Sequence, residues 1–134
     1  MTSNEMYTEI ILNLYNNPKN KGSIKNPDFK FKDTNPSCGD IIEIQCKIKD
    51  KKIIEIKFNG SGCAISQAST ELLAEYLKNK QMDKIKNIDK IKLLELLEIN
   101  ISPMRLKCAL LPLKVFKYGL YSYLGKTLEN ENFE

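Results

Sequence analysis

Apolar and polar positions along the chain change rhythm twice. Residues 4–16 place Met6, Tyr7, Ile10, Ile11, Leu14 and Tyr15 at helical spacing, and Asn17-Pro18 ends that helix. Asn16 to Gly22 has the composition of a loop, and Phe29 and Phe31 then alternate with Lys30 and Lys32 as in a short strand, broken at Asn35-Pro36-Ser37. From Asp40 the period is two: Ile42, Ile44, Cys46 and Ile48 share one face, with Glu43, Gln45 and Lys47 on the other. A second strand carries Ile54, Ile56 and Phe58 inward and Glu55 and Lys57 outward, with Asp50-Lys51-Lys52 as the hairpin turn.

The second half has helical period. Residues 64–78 carry Ile65, Ala68, Leu72, Leu73, Tyr76 and Leu77 on one side, and residues 83–98 carry Ile85, Ile88, Ile91, Leu94 and Leu97. The Lys-rich run 84–92 reads as the solvated face of that helix. Ser102-Pro103 has the form of an N-cap followed by Pro at the first helical position; Pro112 is expected to break or restart the helix. Leu113, Phe116, Leu120 and Leu124 line the inner face of the last segment, and the polar tail after Gly125 is expected to fray. These elements make one α+β domain over residues 1–134, a small three-stranded antiparallel sheet packed against an N-terminal helix and a C-terminal helical layer.

Composition narrows the function. With 42% hydrophobic and 28% charged residues the chain is globular rather than disordered. The net charge of +4 is almost all lysine, with Arg105 the lone arginine, and lysines scattered among Ile, Asn and Glu make no nucleic-acid stripe. No apolar run approaches the ~20 residues of a membrane span, and Met1-Thr2-Ser3-Asn4-Glu5 is no signal peptide, so a cytoplasmic protein without a membrane partner is expected. Histidine is absent, which removes the commonest general base and metal ligand.

Four cysteines remain, Cys38, Cys46, Cys63 and Cys108, and in a chain without an export signal these are thiols, ligands or core residues before they are disulfides. Cys38-Gly39-Asp40 sets a thiol and a carboxylate about 6–7 Å apart on one side of an extended chain. If inward residues of the hairpin oppose inward residues, Ile48 faces Ile54, Cys46 faces Ile56, Ile44 faces Phe58, and Asp40 falls opposite Gly62. Cys63 is the next residue, so Cys38, Asp40 and Cys63 meet at one end of the sheet. Cys63 also follows Gly60-Ser61-Gly62 and precedes a helix, where N–H groups would stabilise its thiolate. Cys46 lies eight residues, roughly 26 Å, from Cys38 and has core parity, so it reads as a small hydrophobe. On spacing alone Cys108 is either a buried helix thiol or a ligand, and Tyr7 and Ile11 are either core or a docking surface.

Four stretches resemble the IscU/SufU/NifU-type iron–sulfur cluster assembly scaffolds. They are Tyr15-Asn16-Asn17-Pro18-Lys19-Asn20-Lys21-Gly22, Asn35-Pro36-Ser37-Cys38-Gly39-Asp40, Gly60-Ser61-Gly62-Cys63-Ala64-Ile65-Ser66 and Arg105-Leu106-Lys107-Cys108-Ala109, in the family's order. The resemblance implies the ligand set Cys38, Asp40, Cys63 and Cys108, with Lys107 nearby, and leaves Cys46 out. It implies a [2Fe–2S] cluster, a cysteine desulfurase as sulfur donor, with Cys63 or Cys108 as sulfur acceptor, apo iron–sulfur proteins as recipients, and a homo-oligomer as one possible cluster-bound form.

Two branches of that family differ at useful positions. The IscU branch has a His where this chain has Lys107, and a Leu-Pro-Pro-Val-Lys segment read by an Hsp70-type chaperone; Ile101-Ser102-Pro103-Met104-Arg105 departs from it, so dependence on that chaperone is not implied. Lys107 resembles the SufU branch, whose members bind Zn²⁺ and accept sulfur from a desulfurase, but residues 64–107 leave no room for that branch's insertion. An insertion remodels a surface whereas one residue is easily exchanged. The cluster scaffold, a carrier rather than an enzyme, is therefore the first reading and the zinc sulfurtransferase its alternative. In either, the hard oxygen of Asp40 is the weakest tether among soft sulfurs.

Overall fold

The computed structural model describes residues 3–37, 39–97 and 101–125. Its elements run α1 (Ser3–Asn16), β1 (Phe29–Asn35), β2 (Asp40–Lys49), β3 (Lys52–Ser61), α2 (Ala64–Leu77), α3 (Met82–Ile85), α4 (Lys90–Leu97) and α5 (Pro103–Leu124). The strands form a 3-stranded antiparallel sheet in the order β1-β2-β3, the α+β sandwich expected from the pattern. The polar tail after Gly125 lies outside the described residues.

The β2–β3 hairpin turns on Asp50-Lys51, both at positive φ (53° and 61°), a two-residue turn whose twist matches the strands. Cys46 pairs with Ile56 and Ile44 with Phe58, as the alternation predicts. A bulge at Lys47/Ile48 then changes the register, so that Ile48 pairs with Ile53. Ile53 is consequently sealed in the core and Ile54 is 41% exposed, reversing the assignment made from parity. The cause lies beyond the hairpin. The segment leaving α2 pairs with the start of β3, Ile53 N–H to the Lys80 carbonyl (3.0 Å) and Asn79 N–H to the Ile53 carbonyl (2.7 Å).

The other half of the β3 edge is covered by the loop after α1, through Phe58 N–H to Asn20 O and Gly22 N–H to Phe58 O, both 2.9 Å. The same loop explains why Gln45, on the outward face of β2, is buried. Its Oε1 accepts the Ile24 N–H at 2.8 Å.

The inner sheet face (Phe29, Ile42, Ile44, Cys46, Ile56, Phe58) packs on Leu73 and Leu77 of α2 and on Leu113, Phe116 and Leu120 of α5. Contact with α5 is close because Gly119 has no side chain; a Cβ there would stand 2.6 Å from the Phe29 ring. A second apolar cluster joins Ile11 of α1, Ile65 and Ala68 of α2, Leu97 of α4, and Cys108 and Ala109 of α5. Ile11 is thus a core residue; the side chain of Tyr7 lies outside the described residues.

Two helical expectations are corrected. Residues 83–98 do not form one helix: α3 stops at Ile85 and α4 starts at Lys90, with the Asp89 carboxylate accepting the Lys92 N–H at 3.0 Å as a cap. The break turns Ile88 inward and leaves Ile91 62% exposed, and the Lys-rich run is split between two short helices and their link. Pro112, by contrast, neither breaks nor restarts α5. It deprives the Cys108 carbonyl of the usual donor four residues on, but every residue from Cys108 to Leu113 is buried, and packing on both sides holds the helix through it. Ser102 does stand at the N-cap position with Pro103 first in the helix.

Candidate metal centre

Asp40 opens β2, and its side chain is wholly buried. Its partner across the β1–β2 pair is Asn35, the last residue of β1. Between them the chain turns through Gly39 at φ 70°, a left-handed conformation that suits glycine. On the other side β3 runs out through Ser61, paired with Ile41, so Gly62 lies against Asp40 as the register requires. Gly62 has φ 135°, and a Cβ on it would collide with Asp40 Oδ1. Cys63 then caps α2, receiving the Ser66 N–H on its Sγ at 3.5 Å.

One carboxylate joins the two segments. Asp40 Oδ1 accepts the Cys63 N–H at 2.8 Å, and Cys63 Sγ stands 4.0 Å from Asp40 Oδ2. Cys108 arrives from the second turn of α5, fully buried, and Asn35 Nδ2 donates to its Sγ at 3.7 Å. Ligand atoms of Asp40, Cys63 and Cys108 all lie within 4.8 Å of one another, the one such Cys/Asp/Glu group among the described residues.

Of the residues singled out from sequence, three therefore converge from three separate elements. Cys38 lies outside the described residues. Lys107 is exposed on α5 beside Cys108. Cys46 is buried at the far end of the inner sheet face, and burial, reinforced by the Asp28 carboxylate, pushes its thiol well above the ordinary value of 9.0. Sequence reasoning missed Asn35, which could have been found by carrying the β1–β2 register to its end. It also missed Gln67, one helical turn beyond Cys63.

Two sulfurs and one carboxylate suit a thiophilic metal. Sulfurs sharing one tetrahedral Zn²⁺ stand about 3.8 Å apart, given bonds near 2.3 Å. A small closure of the observed triad reaches that spacing.

The chain matches the NifU-like N-terminal domain over residues 6–130. It is 32% identical over 124 residues to the iron–sulfur cluster assembly scaffold protein IscU of Escherichia coli K12, covering 90% of this chain and 95% of that protein. It is 33% identical over 128 residues to the iron–sulfur cluster assembly enzyme IscU of Drosophila melanogaster, with 90% and 80% covered. Among solved structures, a protein assigned as an iron–sulfur cluster assembly scaffold of the SUF system in Fervidobacterium islandicum superposes with a TM-score of 0.71 at 31% identity, over 89% of this chain and 99% of that one. The N-terminal part of a NifU-like protein from Brucella abortus shares the fold, with a TM-score of 0.73 at 16% identity over 92% and 98% of the two chains. The site described above thus sits in a member of a known family, and the chain belongs to the NifU-like N-terminal domain family.

Proposed function

We propose that this protein is a scaffold on which a [2Fe–2S] cluster is assembled from iron and desulfurase-derived sulfur and then passed to apo-proteins. The observation that carries this reading is the convergence of Asp40, Cys63 and Cys108 within 4.8 Å from three elements of the fold. Relatives at about one third identity include an iron–sulfur cluster assembly scaffold protein and an iron–sulfur cluster assembly enzyme. Cys38, two residues before Asp40, completes the four ligands a [2Fe–2S] unit needs.

In this reading a thiolate here, Cys63 or Cys108, attacks the outer sulfur of a persulfide on the desulfurase. The S–S bond breaks, the desulfurase thiolate leaves, and the persulfide now belongs to the scaffold. Two electrons from a thiol or ferredoxin-type reductant then release sulfide to iron. Asp40 is the hard ligand among soft ones and therefore the point at which the cargo lets go. Lys107 and the N–H groups at the start of α2 offset the negative charge of the loaded site. The reaction belongs in the cytoplasm.

The test is anaerobic reconstitution with iron, cysteine and a cysteine desulfurase. About two irons and two sulfides per site and a visible [2Fe–2S] spectrum are expected, lost in Cys63→Ser and Cys108→Ser and kept in Cys46→Ala. Loss in the Cys46 variant to the same degree would sink the assignment.

The same three ligand atoms, within 4.8 Å of one another, would also hold a single tetrahedral ion. A zinc-bearing sulfur acceptor would use the same residues. Zinc at one per chain, with labelled persulfide sulfur acquired on Cys63 or Cys108 and no sulfide retained, would establish that reading over the first.

A further inference from the structure

Two residues keep buried polar atoms without a partner among the described residues: Asn20, whose Oδ1 is unpaired although its Nδ2 donates to Glu71 and Glu75, and Gln67, whose whole amide is unpaired. Gln67 sits in the first turn of α2 and is 4% exposed, and both Nε2 and Oε1 are sealed from solvent with no hydrogen-bond partner among the described residues. A primary amide can make four hydrogen bonds, and burying it without them carries a penalty that a hydrocarbon side chain of equal length avoids. Such a side chain in a packed helix calls for a partner.

Its position says where that partner is. Residues 63 and 67 are four apart, on one face of α2, with Cβ atoms of such pairs about 5–6 Å from one another. Helical side chains lean toward the N-terminus, so residue 67 covers the turn begun by Cys63. In the other direction the stripe continues to Glu71, whose carboxylate is already held by the Asn20 N–H (2.9 Å) and Nδ2 (3.1 Å). Among the described residues Cys63 Sγ receives only the long 3.5 Å contact from Ser66 and keeps capacity to accept.

We infer that Gln67 is a positioning residue of the metal centre, its Nε2–H reserved for a metal-bound sulfur, either the Cys63 thiolate or a sulfide beside it. The inference rests on the scaffold reading and adds a residue to it. In the metal-free protein the amide is a cost; in the loaded protein it becomes a charge-assisted donor, which holds the ligand and tunes the centre. Metal affinity and apo-stability are then opposed at this one position.

The experiment uses the full chain with Gln67→Met, which keeps length and loses the donor, and Gln67→Leu beside it. Zinc affinity is measured by competition with a chromogenic chelator, and melting temperature on the zinc-free proteins. Zinc affinity should fall by about 10–100-fold, the usual effect of removing an outer partner of a ligand. The zinc-free melting temperature should rise by a few degrees, and the potential of a reconstituted cluster should fall. Unchanged affinity overturns the inference, whatever the melting temperature does; the amide then serves the fold, through a buried water or Asn20. A fall in both quantities for both variants also overturns it, because a damaged fold weakens any site. If the parent protein itself takes up neither zinc nor cluster, the scaffold reading has failed, and the failure shows before any Gln67 variant is made.

Discussion

Cysteine chemistry here is decided residue by residue. Cys46 and Cys108 are equally buried, yet Cys46 is enclosed by Ile44, Ile56 and their neighbours while Cys108 faces Asn35, Asp40 and Cys63. Burial pushes the Cys46 thiol far above the 9.0 it has when unfolded. Above pH 9 the unfolded chain therefore holds fewer protons than the native one, and stability falls as pH rises, by up to ~1.4 kcal/mol per unit. Chemical denaturation at pH 8, 9.5 and 10.5 should show this slope in the parent and a shallower one in Cys46→Ala. Equal slopes would mean that Cys46 ionises in the native state. Parity of the strand marked Cys46 as core from the sequence, because a residue eight positions from Cys38 on a straight strand cannot reach it. Asn35 was not legible in the same way. It stands in the segment that ends β1, and a polar residue there reads as turn chemistry until the pairing with Asp40 shows it turned toward Cys108.

At the scale of elements, the readable parts were those with local causes. Alternation gave β2 and most of β3, and the turn residues gave the hairpin. The bulge did not show, since it is set by the pairing of Ile53 with the segment after α2, some 27 residues away. Cavity variants test it: Ile53→Ala should cost about 2–5 kcal/mol in denaturant unfolding, and Ile54→Ala, on an exposed side chain, within about 1 kcal/mol. Similar costs would restore the unbulged register. The Gly62 link is a second element-scale device. Alanine there must take φ near 135° and displace Asp40, so Gly62→Ala should cost roughly 1–3 kcal/mol and lower zinc affinity together. Gly22→Ala, at φ 148° but with nothing nearer than the Lys57 side chain at 3.8 Å, should share the backbone cost and spare the metal. Metal binding lost in both would detach the site from the Gly62–Asp40 contact. The continuity of α5 through Pro112 was hidden for a different reason: local propensity argues for a break, and only tertiary burial of residues 108–113 overrides it.

Across the whole molecule the candidate metal centre lies on a seam. The sheet with the inner faces of α2 and α5 forms one apolar cluster, while Cys108 and Ile11 belong to the other, where α1 packs. A metal held by Asp40 on the sheet side and Cys63 and Cys108 at the second cluster would join the two. Binding to the native state alone stabilises by mass action, about 4 kcal/mol at a thousandfold excess over Kd, so zinc should raise the melting temperature by roughly 10 °C. The sharper expectation concerns where the coupling runs. Ile11→Ala and Ile53→Ala each open a cavity under a residue no more than 3% exposed, on opposite sides of the seam. Both should lower stability by about 2–5 kcal/mol. Cys108 shares a cluster with Ile11, however, so its position depends on how α1 packs, and zinc affinity at a temperature well below unfolding should drop at least ~3-fold in Ile11→Ala, a coupling of ~0.7 kcal/mol. Ile53 lies at the turn end of the sheet, away from Asp40, and its variant should bind zinc as the parent does. Equal affinities in the two variants would show that α1 covers the site without shaping it.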